Sequence, residues 1–235
     1  MFRIITVAAT TGALAIGSLV CAAPALAAPA DDRPTAHSSL SVIQKAGAAA
    51  TAKRITSLNT GISKVNASTR LTSDDKSTVL GTLNADLAAM QGLQTKIAAD
   101  TTASTAWTDY KSIFTDYRVY AVALPQSYIA AAADGLTGTA IPKLQSAEDR
   151  ISAYFAAHPD KVTADLQAKL ADMQSKTADA VSKTSGLAAA ALAVTPAAYD
   201  ANHAVLADDR AAARAAVADV KAAAQDGHAI LAALK

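Results

Sequence analysis

Four aromatic side chains, Trp107, Tyr110, Phe114 and Tyr117, follow one another at steps of three, four and three residues. On an α-helix that spacing puts them on one face. Tyr120 and Tyr128 come close behind, so most of the aromatic residues beyond the first 30 positions fall in one short stretch. A row of rings can act as a stacking platform for a sugar, a cell-wall fragment or an apolar ligand, with Arg118, Asp109 and Asp116 as polar handles. The candidate ligand-binding residues are therefore Trp107, Tyr110, Phe114, Tyr117, Arg118 and Tyr120. The same spacing also suits rings that fill the wide part of an alanine-lined core. In that use Trp107→Ala leaves a cavity and costs about 3 to 5 kcal/mol.

Other chemistry is thinly provided. His37, His158, His203 and His228 are the groups with an ordinary pKa near neutrality. None lies in an H-E-x-x-H pattern. Asp200-x-x-His203 puts a carboxylate and an imidazole on one helical face, and Asp226 is two residues from His228, but a metal site needs three or four convergent ligands. The sequence has a single glutamate, Glu148, and a single cysteine, Cys21. It contains no G-x-S-x-G elbow and no glycine-rich phosphate loop. No catalytic residue, metal or cofactor is expected.

The elements that must position these residues read as helices. Ile43, Ala46, Ala50, Ile55, Leu58, Ile62 and Val65 recur at helical steps, and Thr72-x-x-Asp75 resembles a capping box opening a second segment. Leu80, Leu83, Leu87, Met90 and Ile97 then follow coiled-coil spacing. A third segment runs from caps at Thr101 to Ser104 through about Tyr120, where Pro125 ends or kinks it. A fourth runs from about Gln126 to Ala157, with a bend or break expected around Gly135, Gly138 and Pro142. A fifth spans about Thr163 to Val194 and contains a seven-residue echo, Ser175-Lys176-Thr177 against Ser182-Lys183-Thr184. Thr195-Pro196 opens a last helix that continues almost to the end of the chain.

Composition agrees with this. Of 235 residues, 51% are hydrophobic but only 4% aromatic, and about a quarter are alanine, the best helix former. Ten glycines and seven prolines are too few for an all-β chain of this size. The expected fold is all-α: an elongated antiparallel up-and-down bundle of four to five long helices, more than 60% helical, well above the globular average. Its alanine seams permit close backbone approach but give a thin core, because alanine buries little apolar area at about 25 cal/mol per Å².

The N-terminus reads as a targeting segment. Arg3 precedes an uncharged, mostly apolar stretch, and Ala25-Leu26-Ala27 is an A-x-A cleavage site. The expected organisation is a signal peptide over 1–27 (alternative end 30), a flexible lead-in over 28–38 and one helical domain over 39–235. A retained anchor is the alternative, since Ile4 to Ala30 carries no charge and is long enough to cross a bilayer. Lys plus Arg is 21 and Asp plus Glu is 20, so losing Arg3 leaves a formally neutral chain, which argues against nucleic acid as a partner.

At Tyr117-Arg118-Val119-Tyr120 with Leu124-Pro125, at Leu71-Thr72-x-x-Asp75-Lys76 and at Thr195-Pro196-x-x-Tyr199, the chain resembles a group of secreted, alanine-rich helical proteins of high-GC Gram-positive bacteria with no assigned activity. The resemblance implies export and an all-helical fold, and transfers no catalytic residue. The function expected is that of a secreted or envelope-associated helical protein with a structural or interaction role, its partner a cell-envelope component or another protein. The alternative is a carrier for a lipid, glycan or other apolar ligand held between helices near the aromatic face.

Overall fold

The computed structural model describes residues 34–234. The expected leader over 1–27 and most of the lead-in lie outside the described residues. Helix accounts for 83% of the described residues, and no strand occurs among them. The α-helices are α1 (Leu40–Ala67), α2 (Ser73–Ala99), α3 (Ala103–Thr115), α4 (Ala123–Gly135), α5 (Ile141–Ala157), α6 (Ala164–Thr184), α7 (Leu187–Leu192), α8 (Pro196–Ala201) and α9 (Ala207–Ala233). A π-helical turn, Leu136–Ala140, joins α4 to α5, and a 3₁₀ turn, Pro159–Lys161, precedes α6.

Threonine sets four of the helix starts. Thr72 accepts from the Asp75 amide, Thr102 from Thr105, Thr163 from Leu166 and Thr195 from Ala198, each hydroxyl satisfying an amide that has no partner within the helix. Pro125 falls in the first turn of α4 and does not end the preceding helix. A missing N–H costs nothing there. What ends α3, at Thr115 and not near Tyr120, is the loop through Arg118, whose φ of 47° is left-handed.

The fourth segment is interrupted at its glycines, where a π-helical turn separates α4 from α5. Pro142 cannot offer an N–H to the carbonyl four residues back at Gly138, and the widened turn over 136–140 carries the chain through into α5. Two further expectations are corrected. The fifth segment breaks, because Gly186 adopts φ 69°, the left-handed conformation that ends a helix at little cost to glycine. The last segment divides at Asn202 to Leu206 into α8 and α9. At the end of the lead-in the Ser38 amide donates to the Thr35 carbonyl at 3.0 Å, and the Ser38 hydroxyl accepts from the Thr35 amide at 2.9 Å.

Two long helix pairs dominate the packing. In the first, Gly47 lies against Ile97 and Gly61 against Leu83, while Gln44 Nε2 donates to the carbonyls of Ala98 and Asp100, so α1 and α2 run antiparallel. Ile43, Leu58, Leu83, Met90 and Ile97 are completely or almost completely buried. In the second, Gly227 lies against Met173 and Lys183 pairs with Asp219, so α6 and α9 are antiparallel too. That seam is walled by Ala180, Ala216, Val220, Ala223 and Ile230, all fully buried.

The seven-residue echo finds its use in the second pair. Thr177 and Thr184 face inward, their hydroxyls donating to the carbonyls of Met173 and Ala180 at 2.9 and 2.8 Å, which spares the seam an unpaired hydroxyl. Lys176 and Lys183, also seven residues apart, reach Asp226 and Asp219 across the rim.

Candidate functional site

The helix α3 buries Ala106, Asp109 and Ile113, one residue round from the aromatic row. The rings therefore stand at the edge of the buried face and not at its centre. Trp107 stacks on Tyr110 with ring centroids 5.5 Å apart, and Tyr110 meets Phe114 edge-on at 5.1 Å. Tyr110, Phe114, Tyr117 and Tyr120 are half-buried against the apolar cluster of α1 and α2. Trp107 is half-buried but lies outside that cluster, with the Lys111 ammonium 5.9 Å from its ring. A cost of about 3 to 5 kcal/mol for Trp107→Ala belongs to a fully enclosed ring. The exposed edge of Trp107 lowers that expectation.

The proposed polar handles do not converge. Asp109 turns toward α2 and pairs with Lys96 at 2.9 Å. Asp116 is exposed and accepts from its neighbour Thr115 at 2.7 Å. Arg118 reaches to α8, where it pairs with Asp200 and lies 5.3 Å from the centre of the Tyr199 ring. Asp200 is thus committed to an arginine, and His203, its partner in the metal-ligand reading, packs edge-on against Tyr199 at 4.8 Å. Among the described residues no three His, Cys, Asp or Glu side chains gather to hold a metal.

The residue that organises this region was not visible as a candidate in the sequence. Arg54, on α1, lays its guanidinium 4.4 Å from the centre of the Phe114 ring and 5.0 Å from that of Tyr120. The Tyr120 hydroxyl fixes the second ring by donating to the Lys53 carbonyl at 3.1 Å, and it lies 3.0 Å from the Ser57 hydroxyl. Arg54 donates from Nη1 to the Ala50 carbonyl at 3.1 Å. Its Nε is buried without an acceptor, as is the Nε of Arg118. Burial pushes the Arg54 pKa below its ordinary value, against the smaller pull of Tyr120 and Tyr110. The signal for it was present: Ile43, Gly47, Thr51, Leu58, Gly61 and Val65 are the buried positions of α1, and Arg54 fills the place between Thr51 and Leu58 at steps of three and four.

A recess of about 100 Å³ opens here, lined by Arg54, Phe114, Arg118, Tyr120 and the apolar side chains of Ile113 and Val119. A wider groove of about 310 Å³ lies beside the π-helical turn, between Ile141, Pro142 and the exposed Val181. A third polar intrusion is Asp86, which continues the buried series Val79, Leu83, Met90, Leu93 and Ile97 of α2 at steps of three and four. Its Oδ2 is buried without a partner, and burial pushes its pKa up to about 6. No helix among the described residues is long and apolar enough to cross a membrane. Compared with protein families, curated proteins and solved structures, the chain matched none.

Proposed function

We propose that this protein is an exported, envelope-associated or extracellular helical bundle whose role is structural or interactive and not catalytic. The supporting observation is where its apolar side chains go. Most of the leucine, isoleucine and methionine side chains, with Tyr110, Tyr117, Tyr120 and Tyr128, pack between helices, and Val42, Val181 and Leu231 are the large apolar residues left more than a third exposed among those described. The outward faces of α1, α2, α6 and α9 carry lysine, aspartate, threonine, serine and small alanines. Such helices offer a stiff, wettable surface to a partner without exposing a large apolar patch of their own. Export, and a leader over 1–27, is supported by the A-x-A site after an uncharged stretch and by the resemblance to secreted alanine-rich proteins.

The test is expression of the full-length chain, tagged at its C-terminus, in a high-GC Gram-positive host. A photo-crosslinking residue replaces Val42, which is 49% exposed on α1. The expected result is a protein beginning at Ala28, or second at Asp31, in the medium or envelope fraction and crosslinked to one envelope component. A chain that keeps Met1 and stays in the cytoplasm overturns the reading.

A further inference from the structure

We propose that the recess between α1 and the α3–α4 loop is a binding site for a carboxylate, with Arg54 as the charge that holds it and Arg118 as its flank. This goes beyond the structural role above and does not depend on it. The first ground is an uncompensated charge. Arg54 is half-buried, with its Nε fully enclosed, yet no carboxylate among the described residues pairs with it. Long charged side chains are rarely withdrawn from water unless paired, because desolvation has to be offset by a counter-charge. Phe114 and Tyr120 supply only ring faces, and the Ala50 carbonyl takes only Nη1.

The second ground is the donor geometry. With Nη1 engaged by the Ala50 carbonyl, Nε is left without an acceptor. A carboxylate accepts two parallel N–H bonds from a guanidinium edge, a match that neither water nor a single carbonyl provides. Arg118 Nε is also buried and unaccepted, while its Nη2 is taken by Asp200. Its backbone is held at φ 47° although it is not glycine, by amides of Ala121 and Val122 donating to its carbonyl at 2.9 and 2.7 Å. Strained non-glycine backbone persists where the surrounding structure enforces it, and it concentrates at binding sites.

The third ground is size and charge. About 100 Å³ admits a small acid group and its first carbons, not a sugar ring or a whole lipid. Arg118 is already neutralised by Asp200, so the recess carries one surplus positive charge, that of Arg54. One carboxylate balances it, whereas a phosphate dianion overshoots.

The experiment follows the arginine Nε–H signals by ¹H–¹⁵N NMR on the full chain while acetate, octanoate or inorganic phosphate is added at constant ionic strength. The Arg54 and Arg118 signals are expected to shift saturably with acetate and octanoate, while those of Arg150, Arg210 and Arg214 stay in place. Equal affinity for the two acids identifies a small-acid site, and octanoate binding at least tenfold tighter identifies a fatty-acid source whose chain follows the aromatic row. In Arg54→Gln the Arg118 shift should disappear, and Arg54→Lys, which keeps the charge but not the fork, should weaken it at least fivefold in a chain whose circular dichroism matches the parent. Absence of a saturable shift in the parent overturns the proposal. So does phosphate binding tighter than acetate, or an unchanged Arg118 response in folded Arg54→Gln.

Discussion

The α1/α2 pair and the α6/α9 pair solve one packing problem and place their charges oppositely. Both are antiparallel, and both let glycine or alanine bring the backbones close. In α6/α9 the lysines stand at the rim, each between an aspartate on its own helix and one on its neighbour: Lys176 between Asp172 and Asp226, Lys183 between Asp179 and Asp219. On α1 and α2 a guanidinium and a carboxylate occupy places in the series of buried positions and do not pair. By the register that sets Gly47 against Ile97 and Gly61 against Leu83, Arg54 falls level with Met90 and Asp86 with Leu58. Rim charges fix register at little cost. Charges among buried positions cost stability.

The largest expected effect breaks the first pair at its seam. Leu58 is fully buried beside the level of Asp86, and Leu58→Ala should cost about 2 to 5 kcal/mol in a urea melt, since the helices cannot close over the vacated space. Trp107→Ala, at the edge of the aromatic row, should cost less than half as much. If the two variants are equally destabilised, the rings belong to the core after all and the edge placement of Trp107 is wrong.

A second comparison sets glycine against glycine. A Cβ on Gly47 would stand 2.9 Å from Ile97 Cγ2 and 3.1 Å from its Cδ1. Isoleucine is stiff at χ1, so Gly47→Ala carries an overpacking cost of about 1 to 3 kcal/mol, only partly offset by the gain of up to about 1 kcal/mol for alanine over glycine in a helix. A Cβ on Gly227 would meet Met173 Cε and Sδ, both at 3.3 Å, the mobile end of an adaptable side chain. Gly227→Ala should therefore be neutral or stabilising by about 0.5 kcal/mol. The melting temperature should fall for Gly47→Ala and hold or rise for Gly227→Ala, and an equal fall in both removes the claimed difference between the seams.

What the sequence showed and what it hid follow the same division. Helix starts at Thr72, Thr102, Thr163 and Thr195 were legible because capping is local chemistry between residues three apart. The break at Gly186 was not, because a glycine among alanines announces a left-handed residue only if its neighbours leave the helix as well. The aromatic row was legible as a face, but which part of that face is buried depends on α1 and α2, and the row stands one residue off the buried line. Arg54 and Asp86 were passed over because a charge inside a helical stripe interrupts the apolar pattern on which the reading depends. Taken as a member of the stripe, Arg54 was the strongest pointer to the site.

Asp86 gives the comparison a pH dependence. Its pKa rises from 3.8 to about 6 in the folded chain because burial disfavours the charged form. A carboxyl with a raised folded pKa binds more protons folded than unfolded, so its contribution falls as pH rises from 3.8 to about 6 and stays unfavourable above that. Asp86→Asn should leave stability unchanged below pH 3.8 and raise it at pH 8. A shift of about two units corresponds to about 3 kcal/mol, which solvent screening at this half-buried position reduces to about 1 kcal/mol. Urea melts across that range decide it, and a stability gain equal at both ends would assign the effect to packing and not to charge.

The smallest effect belongs to the rim of α6 and α9, and its signature is salt dependence and not size. Lys183 is held in its charged form first by Asp219 and less by Asp179, while Lys176 holds the Asp172 carboxyl below its ordinary range. These groups are open to water, where an ion pair gains little and long side chains lose freedom in forming it. Lys183→Glu places a third negative charge between the two aspartates, so the loss it causes is like-charge repulsion and should be largest at low ionic strength. The screening length falls from about 10 Å at 0.1 M salt to about 3 Å at 1 M, so the melting temperatures of variant and parent should converge across that range. Adding Asp219→Lys restores an opposite pair across the rim and should recover the parent's melting temperature even at low salt. If the Lys183→Glu deficit survives 1 M salt and the second change does not repair it, the lysine stem is packing along the seam, and the contrast between rim and seam charges no longer holds for this pair.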